Sequence, residues 1–430
     1  VKGSLEVVLE FCPDAKKEEI LKQNEELAKD GYRVIAIASG IKKDFEEKYD
    51  YSKKDIGKLD FKGLVAFIDP IRKDAKKAIK ECNKAGINVI MITGDHPLTA
   101  FSIAKDLHLC DSYDEVATGD DIKKMLGKGK EEFDKFVKCK KVFSRVTPLD
   151  KLEIVEALKR CDEFVAVTGD GVNDAPALKS ANIGIAMGSG TDVAKETSSM
   201  IIIDDNFLSI VAGIKEGRNA YSNIRKIVYF LISCGLAEVL FFLLSTIFNL
   251  PMPLVAIQLL WLNVVTDGLQ DLALSFEKDE DDVMADKPRD TKESLFDKIL
   301  IQEIAIAGLS IGLIVFGVWI FLINYVGMEV EHARGYIMAL MVFLQNYHVL
   351  NCRSEYKSIF KYNFKHNPFV LFSITGSILL QIIVMEVGPL SRFLSTYSIP
   401  WMDLIRLMLI SLPIIIIMEF YKYIKRKKTS

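Results

Sequence analysis

The chain changes character near residue 226. Before it, short apolar runs alternate with polar, turn-forming and helix-forming stretches; after it, long apolar runs follow one another to residue 423. A bilayer core takes about 20 mostly apolar residues per helix. Six stretches meet that demand, at roughly 227–249, 254–275, 299–324, 335–352, 368–387 and 402–423. Only Asn249-Leu250-Pro251-Met252-Pro253 separates the first two, which predicts a tight antiparallel hairpin. An even number of crossings returns the chain to its starting side. Connections on that side hold Lys278, Lys287, Arg289, Lys292 and Lys298, then Arg353, Lys357, Lys361 and Lys365, then Lys422, Lys425, Arg426, Lys427 and Lys428. The opposite connections hold Arg334 and Arg392. The basic excess predicts a multi-pass protein of the cell membrane, with residues 1–226 and both termini cytosolic.

The first half repeats another pattern, a β-rich run, a Gly or Asp turn, then a helix. Phe61–Ile68 leads to Asp69-Pro70-Ile71-Arg72, Asn88–Ile92 to Thr93-Gly94-Asp95, and Phe164–Val167 to Thr168-Gly169-Asp170-Gly171-Val172-Asn173-Asp174. Strands alternating with helices predict a Rossmann-like α/β domain with a parallel sheet covered on both faces. Ligands in such folds gather at the C-terminal strand ends, so the three turns are expected at one edge.

Composition adds limits. A net charge of −3 over 430 residues gives no reason to expect nucleic acid as a partner. The mean hydropathy of +0.20 comes from the second half. Seven cysteines, at 12, 82, 110, 139, 161, 234 and 352, show no Cys-x-x-Cys spacing and read as reduced thiols. No N-terminal signal peptide is legible, and a chain opening on Val1-Lys2-Gly3 reads as a fragment.

Two groups of residues carry chemistry. In the membrane half, Glu238 lies inside the first apolar run, and Asn263, Thr266 and Asp267 stand at i, i+3 and i+4 in the second, on one helical face. Carboxylates are costly in lipid and mark a partner, a cavity or an ion, and oxygen ligands suit hard cations such as Ca²⁺. Interhelical hydrogen bonding is the alternative for Asn263 and Thr266. Gln345 and Asn346 of the fourth run are candidates for the same cavity, whereas Glu303, Glu386 and Glu419 lie nearer span ends and read as interfacial. In the soluble half, Gly94, Gly169 and Gly171 allow close backbone approach to a phosphate, and Thr93 and Thr168 offer hydroxyls. Asp170 and Asp174 are candidates to hold Mg²⁺, and Lys151 to neutralise a transferring phosphoryl group.

The unbroken run Thr168–Leu178, TGDGVNDAPAL, followed by Asn182-Ile183-Gly184-Ile185-Ala186-Met187-Gly188, resembles the hinge and magnesium motif of P-type ATPases, a branch of the haloacid-dehalogenase-like fold. Asp69-Pro70-x-Arg72, Thr93-Gly94-Asp95 and Lys151 match further motifs of that family in order. The resemblance covers essentially the whole chain. It implies a haloacid-dehalogenase-like (Rossmann-like) cytosolic domain followed by an α-helical transmembrane bundle. Residues 1–60 would be a remnant of the nucleotide-binding domain, 61–215 the C-terminal part of the phosphorylation domain, and 216–430 a membrane domain of six helices. It further implies ATP contacts at Lys2, Gly3, Arg33, Thr93, Gly94, Asp95, Arg145, Lys151 and Asn173, with Thr93, Gly94, Asp95, Lys151, Asp170, Asn173 and Asp174 serving catalysis. Asp170 and Asp174 would hold Mg²⁺.

Gln258-Leu259-Leu260-Trp261-Leu262-Asn263-Val264-Val265-Thr266-Asp267-Gly268 looks most like the calcium pumps, as does the position of Glu238, so Glu238, Asn263, Thr266 and Asp267 become expected Ca²⁺ ligands. Two-site pumps of the sarcoplasmic reticulum type carry an Asn and a Glu where this chain has Gly235 and Gln345, which implies one Ca²⁺ per cycle. Mn²⁺ is the alternative ion, and Na⁺ and K⁺ remain open. The family's Asp-Lys-Thr-Gly-Thr motif, whose Asp becomes phosphorylated, does not occur: Asp134, Asp150, Asp286 and Asp297 each precede Lys without the following Thr-Gly. The expected partner is therefore the N-terminal half of the pump, in the same polypeptide or as a separate subunit of a split pump, and the 430 residues by themselves are expected to be inactive. A membrane-anchored phosphatase without transport and a noncatalytic scaffold are the competing classes.

Overall fold

A computed structural model describes residues 1–29, 32–41, 56–67, 70–278, 283–290, 292–361 and 364–429. The chain divides into two compact units, one of residues 1–214 with 284–291, the other of 215–283 with 292–430.

The first unit opens with β1 (Lys2–Gly3), α1 (Leu5–Glu10), α2 (Lys17–Lys29), β2 (Arg33–Ser39) and β3 (Asp60–Phe67). These strands form an antiparallel sheet in the order β1-β2-β3, with a bulge between Ile37 and Ala38. Leu5, Val8, Leu9 and Ile20 of the helices pack with Ala36 and Ala38 beneath it. The run at 61–68, expected in a parallel sheet, thus pairs antiparallel with β2, because its nearest strand-forming neighbour along the chain is a hairpin partner and not a crossover partner. Ile68 and Asp69 lie outside the described residues, so the Asp69-Pro70 turn is not placed.

Then follow α3 (Ala75–Lys84), β4 (Met91–Ile92), α4 (Pro97–Asp106), β5 (Val116–Thr118), α5 (Gly119–Leu126), α6 (Lys130–Lys138), β6 (Val142–Ser144), α7 (Pro148–Arg160), β7 (Ala166–Gly169), α8 (Ala175–Ser180), β8 (Ile183–Met187), α9 (Asp192–Thr197) and β9 (Met200–Ile202). Alternation of strand and helix gives parallel pairing, as the pattern predicts, but in two three-stranded sheets, β4-β6-β5 and β7-β8-β9. Among the described residues β4, β5, β7 and β9 are the edge strands of these two sheets, each with a ladder partner on one side only. Helix α7 starts sharply because Thr147 and Asp150 form a reciprocal capping box and Pro148 takes the first position. Its packing against α8 brings the two sheets' loops together, with Lys159 Nζ donating to the Ser180 carbonyl at 2.7 Å.

The second unit is helical. Helix α10 (Phe207–Ile247) runs 41 residues, about 60 Å at 1.5 Å per residue, and begins some twenty residues before the apolar run that it contains. After the turn at Asn249, whose φ is +52°, come α11 (Ala256–Leu262), a π-helical turn (Asn263–Asp267) and α12 (Gly268–Ser275). Helix α13 (Lys298–Ile320) continues through a second π turn to Tyr325, and α14 (Val330–Cys352), α15 (Pro368–Glu386), α16 (Gly388–Phe393), α17 (Trp401–Ser411) and α18 (Pro413–Thr429) complete the unit. Helix α14 is buried on every side from Ile337 to Asn346, which makes it the centre of the bundle. Among the described residues four helices are long and apolar enough to cross a membrane, Phe207–Ile247, Lys298–Tyr325, Pro368–Glu386 and Trp401–Lys427. The other two of the six runs, 254–275 and 335–352, are helical as well but carry the polar side chains that the core encloses.

Candidate functional sites for phosphate and cation

Around β4, Thr93 and Asp95 close the turn on themselves: Thr93 Oγ1 donates to Asp95 Oδ2 at 2.9 Å and accepts from the Asp95 backbone N–H at 3.1 Å. The next loop docks onto this turn, with Arg145 N donating to the Asp95 carbonyl at 3.2 Å. Arg145, at φ +50°, reaches Glu6 Oε1 at 3.0 Å, which joins the strand-end loop to α1 and so to the segment following Lys2 and Gly3. Burial pushes the Glu6 carboxyl upward, but its backbone hydrogen bond and the Arg145 guanidinium outweigh this and hold it below the usual range. Burial and the same guanidinium push the His96 imidazole down. Arg33 opens β2, opposite Phe67 at the far end from Ile37, the partner of Lys2.

At the end of β7 the run Thr168–Asp174 folds around one carboxylate. Asp174 Oδ1 lies 2.6 Å from Lys151 Nζ, and Asp174 Oδ2 accepts from the backbone N–H groups of Asp170 at 3.3 Å and Gly171 at 3.2 Å. Gly169 is required here, since a Cβ would lie 2.6 Å from Asp174 Cβ. Gly94 has no such constraint, because a Cβ there meets nothing. The Asp170 side chain is exposed, and its carbonyl accepts from Thr191 N at 2.8 Å. Asn173 is exposed beside it. The oxygen donors of Asp170 and Asp174 fit a hard cation that keeps water ligands, with Asp174 oriented by Lys151. Lys151, on the first turn of α7, is therefore a neighbour of the loop that carries Asp170, Asn173 and Asp174.

In the helical unit Thr266 is fully buried, whereas Asn263 is exposed and Asp267 half-buried. Thr266 Oγ1 donates to the Gln345 amide oxygen of α14 and lies 2.6 Å from the Leu262 carbonyl. The Glu238 carboxylate of α10 lies within interaction range of both Asp267 and Gln345. Glu238 Oε1, Asp267 Oδ1 and Asp271 Oδ1 are each shielded from solvent and lack a hydrogen-bond partner among the described residues. Asp271 was not singled out from the sequence, although its i+4 relation to Asp267 is a signal that could have found it. The π turn, which spans Asn263 to Asp267, is equally invisible to periodicity; such turns recur at functional sites. Glu303, near the start of α13, is 1 % exposed and paired with Lys425 at 3.0 Å. Glu386 accepts from Ser398 at 2.6 Å, and Glu419 from Ile359 N at 2.8 Å.

Residues 251–424 match the family described as cation transporting ATPase, C-terminus, and residues 8–182 match haloacid dehalogenase-like hydrolase. A calcium-transporting ATPase of Bacillus subtilis is 42 % identical over 388 residues, covering 90 % of this chain and 42 % of that protein. Calcium-transporting ATPase 1 of Bacillus cereus is 35 % identical across 97 % of the chain and 48 % of its own length. Human calcium-transporting ATPase type 2C member 2 is 35 % identical across 98 % of the chain and 44 % of its own. The chain thus spans less than half the length of these relatives. With family models for a haloacid dehalogenase-like hydrolase and for the C-terminus of cation transporting ATPases covering most of its length, and with this degree of identity, the chain belongs to the cation-transporting P-type ATPase family.

Proposed function

We propose that the chain is the C-terminal part of an ATP-driven pump that exports Ca²⁺ from the cytosol, one ion per cycle, with Mn²⁺ as the competing cargo. The observation that carries this reading is the pair of solvent-shielded carboxylate oxygens, Glu238 Oε1 and Asp267 Oδ1, that lack a partner among the described residues and lie on two segments of one packed bundle. Such groups are costly unless a cation completes them. A single ion is favoured because the Gln345 amide oxygen is already engaged by the Thr266 hydroxyl and position 235 is glycine, with no ligand to offer. Asn263 joins the set by turning inward from its exposed position at the edge of the π turn. The named substrate of the relatives, calcium, agrees with oxygen-only ligands.

On the cytosolic side ATP is the phosphoryl donor. Lys2, Gly3, Arg33, Thr93, Gly94, Asp95, Arg145, Lys151 and Asn173 form the nucleotide and phosphate contacts. Asp170 and Asp174 would hold Mg²⁺, which would supply charge neutralisation to the transferring phosphoryl group. Lys151 positions Asp174 through their 2.6 Å pair and neutralises charge on the phosphoryl oxygens. The phosphorylated Asp comes from the N-terminal half, which also completes the cation site, and the one-sided strands β4 and β7 are where its strand docks. Residues 1–226 and both termini face the cytosol. The test is cation-dependent phosphorylation of the full-length protein with Ca²⁺, Mn²⁺ and Na⁺ compared. Asp267→Asn is expected to abolish the Ca²⁺ response; an unchanged response refutes the assignment, and transport of two Ca²⁺ per ATP refutes the stoichiometry.

A further inference from the structure

The π turn and α12 carry two polar faces. Thr266 and Gln270, four residues apart, lie on one; Asp267 and Asp271, also four apart, lie on the next, about 100° around the helix. The first face is entirely engaged. Thr266 bonds Gln345, and Gln270 Nε2 donates to Asn346 Oδ1 of α14 at 2.6 Å, while Gln270 Oε1 accepts from Ser373 Oγ of α15 at 2.7 Å. Asn346 Oδ1 also accepts from Ser377 at 2.8 Å. Gln270, Asn346 and Ser377 are fully buried and Ser373 is 8 % exposed. On the second face, one shielded oxygen of each aspartate has no hydrogen-bond partner among the described residues.

We propose that Gln270 is a positioning residue for cation binding: by bridging α14 and α15 through its two amide atoms, it fixes the rotation of α12 so that Asp267 and Asp271 each present to the cation an oxygen with no partner among the described residues. The π turn makes such a bridge necessary. Its i→i+5 bonding breaks the regular ladder between α11 and α12, so the rotational setting of α12 depends on what its polar side chains grip. Thr266, inside the turn, grips one neighbour; Gln270, beyond it, grips two. The inference rests on the reading of Asp267 as a cation ligand.

Gln270→Leu keeps the volume and removes both bridges. It leaves Asn346 Oδ1 bonded to Ser377, and Ser373 Oγ still reaches the Val370 carbonyl at 2.9 Å, so neither neighbour is stranded. In membranes containing the full-length protein, retention of radioactive Ca²⁺ and Ca²⁺-dependent phosphorylation by ATP are measured beside phosphorylation by inorganic phosphate without Ca²⁺. Removing partners that orient metal ligands typically costs about 10–100-fold in affinity. Half-saturating Ca²⁺ for Gln270→Leu is therefore expected to rise by about tenfold or more, with the inorganic-phosphate signal unchanged. Gln270→Glu is the rescue: its carboxylate accepts from Ser373 and from Asn346 Nδ2, which has no partner among the described residues, once that amide flips. Its Ca²⁺ dependence is expected at or below the parent's.

Equal Ca²⁺ dependence in Gln270→Leu and the parent overturns the proposal, as does a loss of maximal signal without a shift. If Gln270→Leu yields no inorganic-phosphate signal, Ser373→Ala, which removes one bridge, carries the test; a shift in the same direction supports positioning and no shift overturns it. If Asp267→Asn leaves Ca²⁺ retention intact, the reading of the ion site itself fails; if Asp267→Asn abolishes retention while Gln270→Leu does not shift it, positioning alone fails.

Discussion

Asp174 is held at three points, by Lys151 and by two backbone N–H groups, and the fourth constraint is steric. The absent side chain of Gly169 is what lets Asp174 lie against the strand end, because an added Cβ would come within 2.6 Å of Asp174 Cβ. Gly169→Ala is expected to cost about 1–3 kcal/mol and to break the Lys151 pair. Gly94→Ala, where a Cβ meets open space, is expected to be near neutral in stability. Thermal unfolding of the purified protein checks both; equal midpoints count against the packing argument. Much of this loop was legible in the sequence, because TGDGVND places small and acidic residues in an order that few folds require. The reason for each glycine was not, since all three look alike in a string and only packing separates them. Gln270 and Asp271 repeat Thr266 and Asp267 four residues on, a spacing visible in the sequence, but which of the two faces is engaged by neighbouring helices depends on packing.

Elements were more legible than their irregularities. All six apolar runs are helical, because backbone groups in so apolar a stretch must bond internally. Periodicity could not reveal that α10 extends back to Phe207, that α11 and α12 are joined through a π turn, or that Pro413 divides the last run into α17 and α18. Nor did it reveal why α13 lies so close to α10. Gly308 and Gly312 of α13 sit one turn apart, and a Cβ on them would lie 2.9 Å from the Ser233 carbonyl and 3.0 Å from the Ala237 carbonyl. These contacts are with backbone, so the helices would have to separate. Gly308→Ala is expected to lower the thermal inactivation midpoint in detergent, by about 1–3 kcal/mol of stability. Gly317→Ala, on the same helix with nothing within 4 Å, is expected to leave it unchanged. If the two variants behave alike, close approach at Gly308 is not what joins these helices.

For the whole molecule, the division between a soluble-looking half and an apolar half is written in composition, and the two units divide at residue 214. The single parallel sheet that the strand pattern suggests is instead two among the described residues, with β4 and β5 at the edges of one and β7 and β9 at the edges of the other. An open strand edge exposes unpaired backbone donors and acceptors, a state that proteins normally cover. Phe164, 62 % exposed just before β7, marks the same uncovered place. On the proposed reading, a strand of the N-terminal half pairs with the open edges of β4 and β7. The expected outcome is that amides of residues 165–169 and 91–93 exchange faster with solvent in the 430-residue chain than when the N-terminal half is co-expressed. ATP-dependent phosphoenzyme should appear only in the second case, and on the N-terminal half. Unchanged exchange at both strands on co-expression would mean that the added half does not dock at these edges, and phosphoenzyme formed by the 430 residues by themselves would mean that the nucleophile lies within this chain.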